Sequence, residues 1–345
     1  MAGPSQSTRF GRIFPPDETW LAKAPEEAVL DPDLPIVDTH HHLWQRPDHR
    51  YLLHDLLADL RRGHNVVATV FLQCHAMYRA SGPEELRPVG ETEFVAGMAA
   101  MSDSGGYGPA RIAAGIVGFA DLTLGDRVEA VLEAHIRAAG GRFRGVRHAG
   151  NWDADPVIGN GAPGPDIYRR ADFRAGLGCL SSLGLSLDAW LFFTQLSDVI
   201  ELAHAYPATN IIVGHVGGVL GYGRYSGRRE EVYATWKASM TELAKCPNVT
   251  VKLGGMMMRA ALYDYKTARS PLGSQELATA WRPYIETCIE LFGARRCMFE
   301  SNFPVEKMGI GWLALWNAFK RIAAGASEEE KHALFHDTAK RVYRL

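Results

Sequence analysis

Short apolar runs alternate along this chain with stretches whose apolar positions recur at helical spacing. The runs at 34–39, 66–72, 112–119, 143–147, 185–191, 211–214, 249–253 and 297–299 predict strands. Amphipathic segments at 55–62, 91–101, 126–139, 172–183, 196–205, 229–245, 274–291 and 312–323 predict the helices between and after them. A last helix, 327–343, opens on a capping box, Ser327 with Glu330 three positions on. Strictly alternating strands and helices predict an α/β fold, a (β/α)8 TIM barrel, rather than a doubly wound sheet. A Rossmann-type sheet calls for a glycine-rich turn after the first strand, and this chain has three histidines there. Residues 1–33, rich in Pro and charge, read as an N-terminal arm laid over a barrel of residues 34–345. Long segments at 151–165, 216–227 and 254–273 follow strands four, six and seven and are expected to rim one face.

Composition narrows the partners. Among 345 residues, 37 Lys and Arg against 39 Asp and Glu leave a net charge of −2, without the basic excess of a nucleic-acid binder. The 47% hydrophobic and 22% charged content is that of a folded globular chain, which excludes disorder throughout. Five cysteines without a CxxC spacing suggest neither a disulfide framework nor a zinc ribbon. The N-terminus lacks the apolar core of a signal peptide, and no apolar run reaches the ~18 residues of a membrane span. The expectation is a cytoplasmic protein with a small-molecule substrate and no nucleic-acid or membrane partner. The aromatic helix 312–319 is a candidate surface for a homo-oligomer.

The candidate chemistry lies at the strand ends, where this fold places it. Strand one closes on Asp38-Thr39-His40-His41-His42. Alternation puts Asp38, His40 and His42 on one face and His41 on the other. Two imidazoles at that spacing can clasp a divalent ion or act as acid, base and hydrogen-bond donor. Strand two ends with Gln73 and His75, strand four with Arg147 and His148, strand six with His215, strand seven with Lys252. Strand eight gives Glu300, Ser301 and Asn302, and alternation pairs Glu300 with Asn302 and Val213 with His215. Arg147 and Lys252 suit an anionic ligand, or else an ion pair in the barrel wall. Cys74 and Cys297 read as buried, inert thiols. Met256, Met257 and Met258, with Tyr222, Tyr225, Tyr263 and Tyr265, make either an adaptable apolar lid or ordinary core.

The segments IVDTHHHLW, GVRHAGNWDADP, VGHVGG, VKLGG and CMFESNFPVEK resemble the amidohydrolase-related (amidohydrolase 2) barrels. They are most similar to the branch of sugar-lactone and 2-pyrone-4,6-dicarboxylate lactonases, over residues 34–345. The resemblance implies a His-x-His on strand one, matched by His40 and His42, and a strand-six histidine, matched by His215. It also implies an aspartate on strand eight that binds metal or activates water, and this chain has Asn302 there. The strand-five histidine and the Asp-His of strand six are likewise replaced, by Phe193 and by Gly214-His215.

These departures favour a site that requires no metal. The alternative is one divalent ion, zinc or manganese, on His40, His42 and His215. The leading expectation is a hydrolase of a small lactone bearing a carboxylate or several hydroxyls. In it His40, His42 and Arg147 hold the carbonyl, His215 or Glu300 deprotonates water, and Asn302 orients the ligand. Gln73, His75, His148, Lys252 and Tyr222 are the expected substrate contacts. A non-hydrolytic lyase (decarboxylase or cyclase) and a catalytically silent binding barrel are the alternatives.

Overall fold

A computed structural model describes residues 10–345; residues 1–9 of the expected arm lie outside the described part. Eight parallel strands lie in sequence order, so each βαβ step adds a neighbour. They are β1 (Ile36–His41), β2 (Val66–Leu72), β3 (Arg111–Gly118), β4 (Phe143–Ala149), β5 (Ser186–Trp190), β6 (Ile211–Val213), β7 (Val249–Leu253) and β8 (Cys297–Phe299). The circle closes past the end of β8: His41 bridges Phe303, the His42 N–H donates to the Phe303 carbonyl at 2.8 Å, and the Asn302 N–H donates to the His40 carbonyl at 2.8 Å. The chain is a (β/α)8 barrel.

The helices are α1 (Leu53–Leu60), α2 (Val89–Asp103), α3 (Val128–Ala138), α4 (Ala171–Ser182), α5 (Leu196–Ala205), α6 (Arg229–Leu243), α7 (Ser274–Phe292) and α8 (Trp312–Ile322). Their apolar faces pack on the outside of the sheet, as the period of those segments requires. The expected last helix starts at its capping box but is broken into Glu328–His332, a wide turn over Ala333–Asp337, and Thr338–Tyr343. Its end contributes Ala339, Val342 and Tyr343 to the barrel interior, beside Val37, Val70, Ile212 and Met298. On α8, Trp312, Trp316 and Phe319 are buried within the chain. The aromatic residues expected to form an oligomer surface are therefore spent on the fold. Before β1, Glu27 accepts from Ser274 on α7 and Asn317 on α8, and Lys320 donates to the Leu30 and Asp31 carbonyls. Among the described residues no helix is long and apolar enough to cross a membrane.

Candidate active site

The seam between β1 and β8 builds the site. Beyond Phe299 the chain runs Glu300-Ser301-Asn302, and Ser301 is pinned to β1: its N–H donates to Asp38 Oδ1 at 2.8 Å and its hydroxyl to Asp38 Oδ2 at 2.6 Å. That anchor holds Glu300 beside His40. The Glu300 carboxylate is fully buried and bridges two imidazoles, meeting His40 Nδ1 through Oε2 and His215 Nδ1 through Oε1, each at 2.7 Å. Oε1 also accepts the His215 backbone N–H at 2.9 Å. Burial alone would raise the pKa of Glu300, but the two histidines hold it well below the usual carboxylate range.

These contacts assign protons. An ionised carboxylate only accepts, so His40 and His215 carry their protons on Nδ1 and turn a lone pair outward from Nε2. His42 Nδ1 donates to the Leu72 carbonyl at 2.8 Å, which leaves its Nε2 as an acceptor as well. The Nε2 atoms of His40 and His42 nevertheless face each other at 3.2 Å. Burial pushes both imidazoles well below their usual pKa, with Glu300 opposing this at His40 and Arg147 adding to it at His42. Two neutral nitrogens with lone pairs at that separation repel unless a donor or a cation serves at least one of them.

Arg147, at the end of β4, donates to His40 Nε2 from Nη1 at 3.2 Å and to the Gln73 carbonyl from Nη2. Its Nε and the Gln73 Oε1 are buried and have no hydrogen-bond partner among the described residues. The guanidinium lies 5.4 Å from the ring centre of Trp190, which meets His215 edge-on at 6.3 Å. Gln73, whose carbonyl Arg147 meets, also lines a cavity of about 250 Å³ with His75, Phe119, Asp121 and His148 among others. His75 contacts the Tyr78 hydroxyl through Nδ1 at 3.0 Å, and His148 Nε2 stands 3.5 Å from Asp121.

Three expected site residues point elsewhere. Lys252 is buried in an ion pair with Asp188 at 2.9 Å and donates to the Thr39 carbonyl at 2.9 Å, the barrel-wall alternative. Tyr222 is buried under the long loops, donating to the Ile158 carbonyl at 2.7 Å and accepting from Arg259 at 2.8 Å. Asn302 does not share a face with Glu300, because β8 ends at Phe299 and Asn302 takes a left-handed φ of 53°. Its Nδ2 donates to Glu306 at 3.3 Å instead. His215 likewise lies past the end of β6, with a φ of 54°, so alternation with Val213 does not set its direction. Met256, Met257 and Met258 are buried, the core alternative. Trp190, Asp121 and Glu306 went unnoticed in the sequence. Trp190 is the last residue of β5, three positions before Phe193, which is buried against Tyr225.

The donor set fits a divalent cation. His40, His215 and Glu300 offer two imidazole nitrogens and a carboxylate oxygen within 4.8 Å of one another, a combination suited to zinc. Glu300, rather than His42, completes that group, and His42 adds its Nε2 beside it.

The sequence profile of the amidohydrolase family matches residues 37–345. The chain belongs to that family. An uncharacterised protein of Sinorhizobium fredii, y4mH, is 33% identical over 91% of this chain and 99% of its own length. An L-fucono-1,5-lactonase of Burkholderia multivorans is 30% identical, over 68% of this chain and 73% of its own. A crystal structure of an amidohydrolase from Burkholderia multivorans with bound zinc superposes with a TM-score of 0.68 at 25% identity, covering 90% of this chain and 99% of that one. A zinc-bound relative and a His/His/Glu cluster favour the metal alternative over the expectation of a metal-free site.

Proposed function

We propose that this amidohydrolase hydrolyses a small lactone at the mouth of the barrel, with a sugar-type lactone as the first candidate. The observation that carries the reading is the Glu300 carboxylate bridging His40 and His215 beside a buried Arg147. Glu300 accepts three hydrogen bonds, so its oxygens are committed and it serves as the orienting group rather than the base. It presents His215 with Nε2 free, and stabilises the imidazolium that forms when that nitrogen takes a proton, the logic of a carboxylate-histidine pair. Water gives its proton to His215 Nε2 and its oxygen attacks the lactone carbonyl. Negative charge gathers on the carbonyl oxygen, where the guanidinium of Arg147 stabilises it. As the ring C–O bond breaks, the leaving alkoxide takes the proton back from His215, giving a hydroxy acid.

A divalent cation held by His40 and His42, whose Nε2 atoms face each other, would supply Lewis-acid polarisation of that carbonyl oxygen and leave His215 Nε2 free as the base. The L-fucono-1,5-lactonase relative supports the choice of a sugar lactone. The polar lining of the cavity shared by Gln73, His75, Asp121 and His148 supports a ligand carrying hydroxyl groups.

The test is turnover of L-fucono-1,5-lactone and a panel of aldonolactones and carboxylated pyrones, followed by proton release and product mass. A product one water heavier supports the reading. A product that has lost carbon dioxide, or one of unchanged mass, moves the site to lyase or isomerising chemistry.

A further inference from the structure

Asn302 stands where the family resemblance calls for an aspartate, and its amide is engaged by a second buried carboxyl group. Glu306 lies one helical turn on and is fully buried. It accepts from Asn302 Nδ2 through Oε1 at 3.3 Å and from the Met257 backbone N–H through Oε2 at 2.9 Å. Met257 belongs to the long loop after β7, and that loop begins with Gly254-Gly255 packed directly on the catalytic pair. A Cβ at Gly254 would lie 2.7 Å from Glu300 Cγ, and one at Gly255, whose φ is 64°, would overlap His215 Nδ1. The turn after Glu306 completes the seat: a Cβ at Gly309 would lie 2.5 Å from Met257 Cε.

We propose that Asn302 and Glu306 form a clasp that presses the Gly254-Gly255 ribbon onto His215 and Glu300, making Glu306 a positioning residue for the His215–Glu300 hydrogen bond. The Asn302 amide gives Glu306 a donor that an ionised aspartate at 302 would lack. The buried carboxyl is the anchor because it can take both a backbone and a side-chain donor, one on each oxygen. With the ribbon released, His215 gains room to turn away from Glu300, and its Nε2 loses its fixed direction.

The consequence for turnover rests on the lactonase reading, but the contact itself is readable without substrate. Purified wild type, E306A, E306Q and H215N are compared by the downfield imidazole Nδ1–H resonance of His215, assigned as the signal missing in H215N, and by hydrogen exchange at the Met256 and Met257 amides. In E306A the resonance is expected to broaden or vanish and the two amides to lose protection. On an active lactone its kcat should fall about 10- to 100-fold, the usual scale for residues supporting a site, with KM changed less. E306Q keeps an oxygen for the Met257 N–H, and the resonance, the protection and most of kcat should survive. A folded E306A with a wild-type resonance overturns the proposal. If E306A does not fold, E306Q decides: loss of the resonance there overturns the clasp, and its survival supports it. Failure of every lactone with these spectroscopic results intact would count against the activity and leave the clasp standing.

Discussion

Two buried polar clusters meet at β1, and they are finished differently. Below the histidines, the Lys252 cation is fully paired, by Asp188 at 2.9 Å, the Thr39 carbonyl at 2.9 Å and the face of Tyr343 at 5.3 Å, although Asp188 Oδ2 itself is buried without a hydrogen bond among the described residues. Tyr343, delivered by the C-terminal helix, also donates to Asp188 at 2.8 Å. At the mouth, one residue further along β1, donors and acceptors are left over. His42 Nε2 faces a His40 Nε2 that already accepts from Arg147, and Arg147 Nε and Gln73 Oε1 are buried without partners among the described residues. Folding penalises such unmet groups by roughly 1–3 kcal/mol each, so a ligand that met those at the mouth would recover that cost on binding. Residue type alone does not separate the clusters, since each has a basic group beside a carboxylate. What separates them is how completely the cation is paired.

Breaking the closed cluster should give the largest effect, and on stability. K252M leaves Asp188 buried without its cation, and the expected loss is about 3–5 kcal/mol in urea denaturation. A loss under ~1 kcal/mol would mean that the ion pair is not what holds β5 to β7. Breaking the open cluster should act on rate. H215N is expected to lower kcat on an active lactone by at least ~10²-fold while leaving the urea midpoint near wild type. Near wild-type turnover would remove His215 from the mechanism.

A second closed contact gives a sign for the pH dependence. His135 on α3 donates to the Phe119 carbonyl at 2.9 Å and meets the Thr92 hydroxyl at 2.8 Å. Burial pushes its pKa down to about 4. With the folded value below the unfolded one, near 6.5, its stabilisation is present above pH 6.5 and is lost as pH falls through 4. The slope at stake is up to about 1.4 kcal/mol per pH unit in that window. H135Q should flatten the fall in stability from pH 6.5 to 4, and an unchanged slope would assign acid sensitivity to other groups. The smallest effect belongs to Tyr222, which the structure places away from the mouth. Y222F should cost about 0.5–1.5 kcal/mol for its hydrogen bond to Ile158 and leave kcat unchanged. A fall in kcat would return Tyr222 to the site.

Much of this was legible in the sequence. Strand and helix periodicity locates all eight βα units, because parallel strands covered on both sides are continuous apolar runs. Histidines straight after such runs mark the mouth. Beyond the strands the period-two rule lapses, and the misreadings lie there. Left-handed turns at His215 and Asn302 redirect those side chains, so Asn302 addresses Glu306 instead of the mouth. Whether Lys252 met a ligand or a partner depended on Asp188, a residue 64 positions earlier that only the closed barrel brings alongside. Trp190 escaped notice because an aromatic residue ending an apolar strand looks like core.

The central claim is that the open cluster opens a lactone with water. The most direct measurement is the product of L-fucono-1,5-lactone, and of the wider panel, formed in ¹⁸O-labelled water by wild type and by H215N and analysed by mass. The account predicts a hydroxy acid with one labelled oxygen in its carboxylate, formed by the wild type at least ~10²-fold faster than by H215N. No turnover of any lactone by the wild type, or equal rates in the two proteins, would contradict it.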